Sequence, residues 1–137
     1  MDQRILYGKS GNSSYEVTKA WLKNHGIPCK NTSVYQITKE EIERLASIAP
    51  GGAKAIVYPD EFSFALINPQ KAADDHFITR IQAGELPEEE IISLINQHPH
   101  LMITPILVDN DDVIIGYDYE KLVESMRFVK VKDVKMA

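Results

Sequence analysis

The side chains able to do chemistry in this 137-residue chain gather at a few short places. The first is Gly8-Lys-Ser-Gly-Asn-Ser-Ser-Tyr15, where the apolar run Ile5-Leu6-Tyr7 gives way to a turn and then to an amphipathic helix. A helix N-terminus exposes unpaired backbone N–H groups and a partial positive charge, so it stabilises thiolates and binds anions. A thiol is the usual occupant of such a turn, yet Asn12, Ser13, Ser14 and Tyr15 stand there instead. The Ser13 and Ser14 hydroxyls and the helix-start amides could hold a small anion. A serine nucleophile would need an adjacent base, which the sequence does not place. Capping of the helix by Asn and Ser is the preferred reading.

The remaining candidates are weaker. Gly8-Lys9-Ser10 has the ending of a phosphate-binding loop, but the glycine that the motif needs five positions earlier is Gln3. Cys29, beside Pro28, is the only cysteine, so an intramolecular disulfide cannot form and a redox cycle would need a partner thiol. A lone cysteine is more often a small buried hydrophobe than a reactive group. His98 and His100 flank Pro99; without further converging ligands they read as a polar helix end, and no metal site is expected. Thr104-Pro105 precedes the apolar run Ile106-Leu107-Val108, a position where proline fits a strand's first residue; the sequence leaves the isomer of that bond open.

These residues need elements to position them. After the first strand, Val17, Ala20, Trp21 and Asn24 share one face of a helix that stops at His25-Gly26. Cys29 to Tyr35 reads as a short second strand. Thr38-Lys-Glu-Glu41 is a capping box opening a helix with Ile42, Leu45, Ile48 and Ala49 inside, closed by Pro50-Gly51-Gly52. Strand, helix, strand, helix suggests a βαβ unit with a parallel pair. Residues Ala53–Tyr58 and Asp74–Gln82 read as helical, and a stronger helix starts near Pro87 with Glu88-Glu89-Glu90 at its positive end. Ile103–Val108 and Val113–Tyr117 form a hairpin around Asp109-Asn-Asp-Asp112. Asp118 caps a last helix with Leu122, Val123 and Met126 inward, and Val129–Val134 alternates like a strand or a solvated tail.

Bulk properties narrow the function. An apolar content of 44% over this length suits a single domain with a real core. The net charge of −5 argues against a broad phosphate-neutralising surface for nucleic acid. No apolar run approaches the roughly 20 residues that cross a bilayer. One cysteine and no basic-then-apolar start point to the cytoplasm.

The succession of the Asn12-Ser-Ser-Tyr15 helix with Ala20-Trp21-Leu22, then Ile91-Ile-Ser-Leu-Ile-Asn-Gln-His-Pro99, Pro105-Ile-Leu-Val-Asp109 and Gly116-Tyr117 resembles the Spx/ArsC family. The resemblance covers nearly the whole chain. It implies an α/β, thioredoxin-like (glutaredoxin-like) mixed sheet with an inserted helical subdomain. The core would occupy about 1–50 and 101–128, the insert about 51–100 and the tail 129–137. The helix ending in Asn-Gln-His-Pro and the Gly-Tyr before an acidic stretch are closer to the Spx branch, the RNA polymerase-binding transcriptional regulators of Gram-positive bacteria, than to arsenate reductases.

The family's Cys-x-x-Cys pair falls at Asn12 and Tyr15, and the basic residue before its cis-proline falls at Thr104, with Pro105 matching the proline. A glycine that Spx-type proteins set against the C-terminal domain of the polymerase α subunit is matched by Gly52, but the arginine expected five residues earlier is Ser47. The resemblance therefore implies a transcriptional regulator without redox-active cysteines, without cofactor, more a binding protein than an enzyme, with the C-terminal domain of the RNA polymerase α subunit as partner. The alternatives are an ArsC- or glutaredoxin-like oxidoreductase with an atypical site, such as Cys29, and a small-anion or thiol-binding module at Ser13 and Ser14.

Overall fold

The computed structural model describes residues 4–61 and 72–124. Strand β1 (Ile5–Gly8) is followed by helix α1 (Ser13–Asn24), strand β2 (Lys30–Ser33), helix α2 (Lys39–Ile48), helices α3 (Ala72–Gln82) and α4 (Glu88–Gln97), and strands β3 (Ile106–Asp109) and β4 (Asp112–Ile115). Residues 119–124 are helical. The strands make one mixed sheet in the order β2-β1-β3-β4. The β1–β3 and β3–β4 pairs are antiparallel, with Leu6 opposite Leu107 and Leu107 opposite Ile114.

The chain divides into two compact units. One takes the described residues up to Thr32 and from Thr104 onward; the other runs from Ser33 to Ile103. In the first, Leu6, Leu107 and Ile114 of the sheet bury against Tyr15 and Leu22 of α1, with Ile27 and Leu122. In the second, α2 packs on the 3₁₀ segment Gly52–Ile56 and on α4. The Gln82 amide ties the end of α3 to this segment, donating to the carbonyls of Lys54, Val57 and Tyr58 at 3.0, 3.3 and 3.0 Å.

Helix ends follow local chemistry. α1 closes with Ile27 N–H on Leu22 C=O at 2.9 Å and Gly26 N–H on Lys23 C=O at 3.1 Å, a Schellman arrangement around Gly26 at φ 67°. α2 carries the capping box read from Thr38 and Glu41. Asp118 Oδ1 accepts the Lys121 N–H at 3.1 Å, as expected of a cap.

Several expectations change. The buried face of α1 is Tyr15, Thr18 and Leu22, while Val17 is 49% exposed and Ala20 and Asn24 face solvent. The apolar residues of α1 are split between two faces, and the inward one includes a threonine whose Oγ1 satisfies itself on Ser14 C=O at 2.8 Å. The second strand ends at Ser33, whose Oγ accepts the Tyr35 N–H and starts a 3₁₀ turn over 34–36. Residues 53–58 are not an α-helix: left-handed Gly51 and Gly52 lead into the 3₁₀ turn, and Val57 leaves it extended. The hairpin strands are trimmed to four residues each around Asn110-Asp111, with Asn110 at φ 58°, a conformation that asparagine tolerates. Val123 is exposed where Leu122 is buried. Met126 and the alternating 129–134 lie outside the described residues.

Candidate functional site

The start of α1 is organised around Tyr15. Asn12 has extended backbone and caps the helix, its Oδ1 accepting the Tyr15 N–H at 2.9 Å while its carbonyl accepts the Glu16 N–H at 2.9 Å. One of the amides that a bound anion would use is thereby taken. The Tyr15 side chain is buried, and its hydroxyl donates to Asn31 Oδ1 at 3.2 Å. Its ring presses on the last residue of β1 so closely that a Cβ at Gly8 would overlap ring carbons Cγ, Cδ1 and Cε1. Tyr15 thus runs from the end of β1 across to β2. Ser13 is exposed and Ser14 half-buried beside this ring.

The strand register brings the proline to the same end of the sheet. Tyr7 pairs with Ile106 in the antiparallel ladder, so the next step sets Pro105 opposite Gly8. The Thr104–Pro105 peptide bond is cis, and Pro105 C=O accepts the Gly116 N–H at 2.7 Å. Thr104 is buried, and its Oγ1 makes no hydrogen bond among the described residues. A threonine here supplies no cation to stabilise a thiolate or an oxyanion.

Cys29 lies just before β2, in the segment that follows α1 and not in the first turn of a helix. Burial pushes its thiol above the ordinary cysteine range, and the Arg4 guanidinium pulls it back only in part. Arg4 is itself engaged, Nε standing 3.4 Å from Asp109 Oδ2. A half-buried thiol whose charged form is disfavoured is a poor nucleophile.

Gly52 belongs to the second unit. At φ 78° it occupies a backbone region that favours glycine, and a Cβ there would meet Glu88 Oε2 at 2.8 Å. The Glu88 carboxylate, in the first turn of α4, accepts the N–H of fully buried Ala53 at 2.9 Å. Ser47, five residues before Gly52, is exposed and donates from Oγ to the Arg44 carbonyl at 2.6 Å. His98 stacks on Phe77 with ring centroids 4.8 Å apart, and His100 Nε2 stands 3.1 Å from Asp74 Oδ1. Among the described residues, no group of three or more His, Cys, Asp or Glu is arranged to hold a metal ion.

The structure brings Asn12 and Tyr15 together with Pro105 in the first unit and places Gly52 in the second. Three participants are missed from sequence: Gly8, Asn31 and Glu88. Gly8 is readable as a turn residue but not as the floor under an aromatic ring. Asn31 sits in a polar strand without pattern, and Glu88 merges with two neighbouring glutamates.

The ArsC family model matches residues 71–125. The global transcriptional regulator Spx of Bacillus subtilis is 23% identical over 119 residues, spanning 85% of this chain and 82% of the relative, as is that of Listeria innocua. The chain is ArsC/Spx-like. Among solved structures, the arsenate reductase from Vibrio cholerae has a TM-score of 0.66 at 21% identity, covering 90% of this chain and 97% of its own. An arsenate reductase-related protein from Brucella melitensis has a TM-score of 0.59 at 13% identity, covering 89% and 92%. The fold of this ArsC/Spx-like chain is thioredoxin-like. Its matched family segment takes in α4, Pro105 and the β3–β4 hairpin, and stops short of both Asn12–Tyr15 and Gly52. Among the described residues, no helix is long and apolar enough to cross a membrane.

Proposed function

We propose that this chain is a cytoplasmic, redox-inactive relative of the Spx regulators that acts by binding the C-terminal domain of the RNA polymerase α subunit through the surface around Gly52. The observation that supports the reading is Tyr15: a buried ring bonded to Asn31 and seated on Gly8 stands at the position the resemblance matches to the family's second cysteine, and Asn12, matched to the first, is spent on capping. With Cys29 the only cysteine and Thr104 uncharged, neither a dithiol switch nor an oxyanion centre remains. What such a scaffold retains is surface. Gly52, half-buried and without a Cβ, fits close approach of a partner's backbone.

The test is a titration of isotope-labelled protein with the isolated α C-terminal domain. Shift changes concentrated at residues 47–56 are expected, and Ser47→Arg, at an exposed position, tightens binding by supplying the cation the resemblance expects there. Arginine at Gly52 is a poor probe, because the left-handed backbone and Glu88 would disturb the fold first. No shift changes up to millimolar partner overturn the proposal. So does turnover in a thiol-coupled arsenate or disulfide reduction assay that Cys29→Ser abolishes.

A further inference from the structure

Gly52 and Glu88 meet within the second unit. The place that a Cβ would take on Gly52 is filled by the Glu88 carboxylate, with Oε2 2.8 Å and Oε1 3.1 Å from it. The space left by the missing side chain is thus taken from inside the chain, and a partner that comes up to Gly52 on that side meets a carboxylate. Oε2 accepts the N–H of fully buried Ala53 at 2.9 Å, so the group is held in place: turning away would strand a buried donor. Oε1 has no hydrogen bond or ion pair among the described residues, and Glu88 is exposed. Residues 47–54 carry one charge, Lys54, which makes no ion pair with Glu88. Glu89 and Glu90 share the first turn of α4 and are exposed too, but no side-chain hydrogen bond fixes either among the described residues. On pairing, each would give up rotamer freedom that Glu88 has already lost.

We propose that Glu88 is the specificity-determining residue of the Gly52 surface: its unpaired oxygen selects a partner that brings an arginine or lysine side chain to that point and disfavours one that brings a carboxylate. The inference rests on the binding role proposed above for this surface and adds what the partner must present there. A hydrogen bond from a guanidinium or ammonium group to a carboxylate is stronger than a neutral one, and a like charge in its place is repelled. With Oε2 already accepting from Ala53, one N–H to Oε1 makes the pair, which lysine supplies as well as arginine.

The test is the affinity of the isolated polymerase α C-terminal domain for the full chain and for its variants Glu88→Gln, Glu89→Gln and Glu90→Gln, each at low and at physiological salt. Glu88→Gln keeps an acceptor for Ala53, and protection of the Ala53 amide against hydrogen exchange checks that the turn is intact. This variant is expected to bind about tenfold more weakly, because a neutral amide replaces the charge, and to lose affinity less steeply as salt rises. Glu89→Gln and Glu90→Gln are expected to stay within about twofold of the unmodified chain. A second readout needs no variant: as the domain is added to the unmodified chain, the Glu88 side-chain carboxyl carbon resonance is expected to move together with the amides of 52–54. If Glu88→Gln disturbs the turn, this resonance decides. A carboxyl resonance that stays still while those amides move overturns the inference and leaves the binding role standing. So does an equal loss of affinity in all three variants, or no loss in a folded Glu88→Gln. If the unmodified chain does not bind the domain at all, both fall.

Discussion

Tyr15 shows how one buried side chain can tie down its surroundings. The ring is compatible with the end of β1 only because Gly8 has no Cβ, so the two positions act as a pair. Gly8→Ala is expected to destabilise by about 1–3 kcal/mol, the usual cost of overpacking a rigid site, read as a lower denaturant midpoint. Tyr15→Ala opens a cavity and costs about 3–5 kcal/mol, yet the double variant should cost clearly less than the two together, since the added methyl then has room. Strict additivity would show that the ring and Gly8 are not in contact. Cys29 gives a second expectation at this scale. Burial raises its pKa, so the folded chain disfavours the thiolate. Its reaction with a disulfide reagent near pH 8 should be much slower than that of the urea-unfolded chain. The same shift contributes stability that is full below the unfolded thiol's pKa and is lost as pH rises through the folded one, a fall that Cys29→Ala removes. Equal labelling rates in the folded and unfolded chains would contradict the shift. Asn12 as a cap was legible because capping depends on local sequence; burial of Tyr15 was not, because it depends on Gly8 and Asn31, which only the fold brings to it.

Elements in this chain are defined at their ends as much as along their faces. The capping box at Thr38 and the cap at Asp118 were readable because both are fixed by residues three apart. The inward face of α1 was not, since its two apolar stripes compete and only packing against Leu6 and Leu107 selects the one holding Leu22. Gly51 and Gly52 mark a break in the sequence, but what holds the turn is Glu88, thirty-five residues beyond Ala53. Removing that carboxylate leaves the buried Ala53 N–H unpaired. Glu88→Ala should therefore cost about 1–2 kcal/mol, whereas Glu88→Gln keeps an acceptor and costs less. Hydrogen exchange gives the sharper reading: the Ala53 amide should lose protection in Glu88→Ala and largely keep it in Glu88→Gln. Loss of protection to the same degree in both would mean that charge rather than the bond holds the turn.

At the scale of the whole chain, charge bears on whether this protein holds DNA by itself. Likeness to Spx was legible from short motifs spread along the chain even at 23% identity, whereas the grouping of 33–50 with the helical segment depends on contacts no motif records. DNA binding of the non-specific kind is driven by release of counterions from phosphates that Lys and Arg neutralise, and it needs a concentrated basic surface. This chain has a net charge of −5 and a pI near 5.3. The chain is therefore expected to leave DNA unshifted at physiological salt and, on the proposed function, to join promoter DNA only when the polymerase α C-terminal domain is bound to it. Tight, salt-insensitive binding of DNA by the unmodified chain alone would place sequence recognition in this protein itself and contradict an adaptor role.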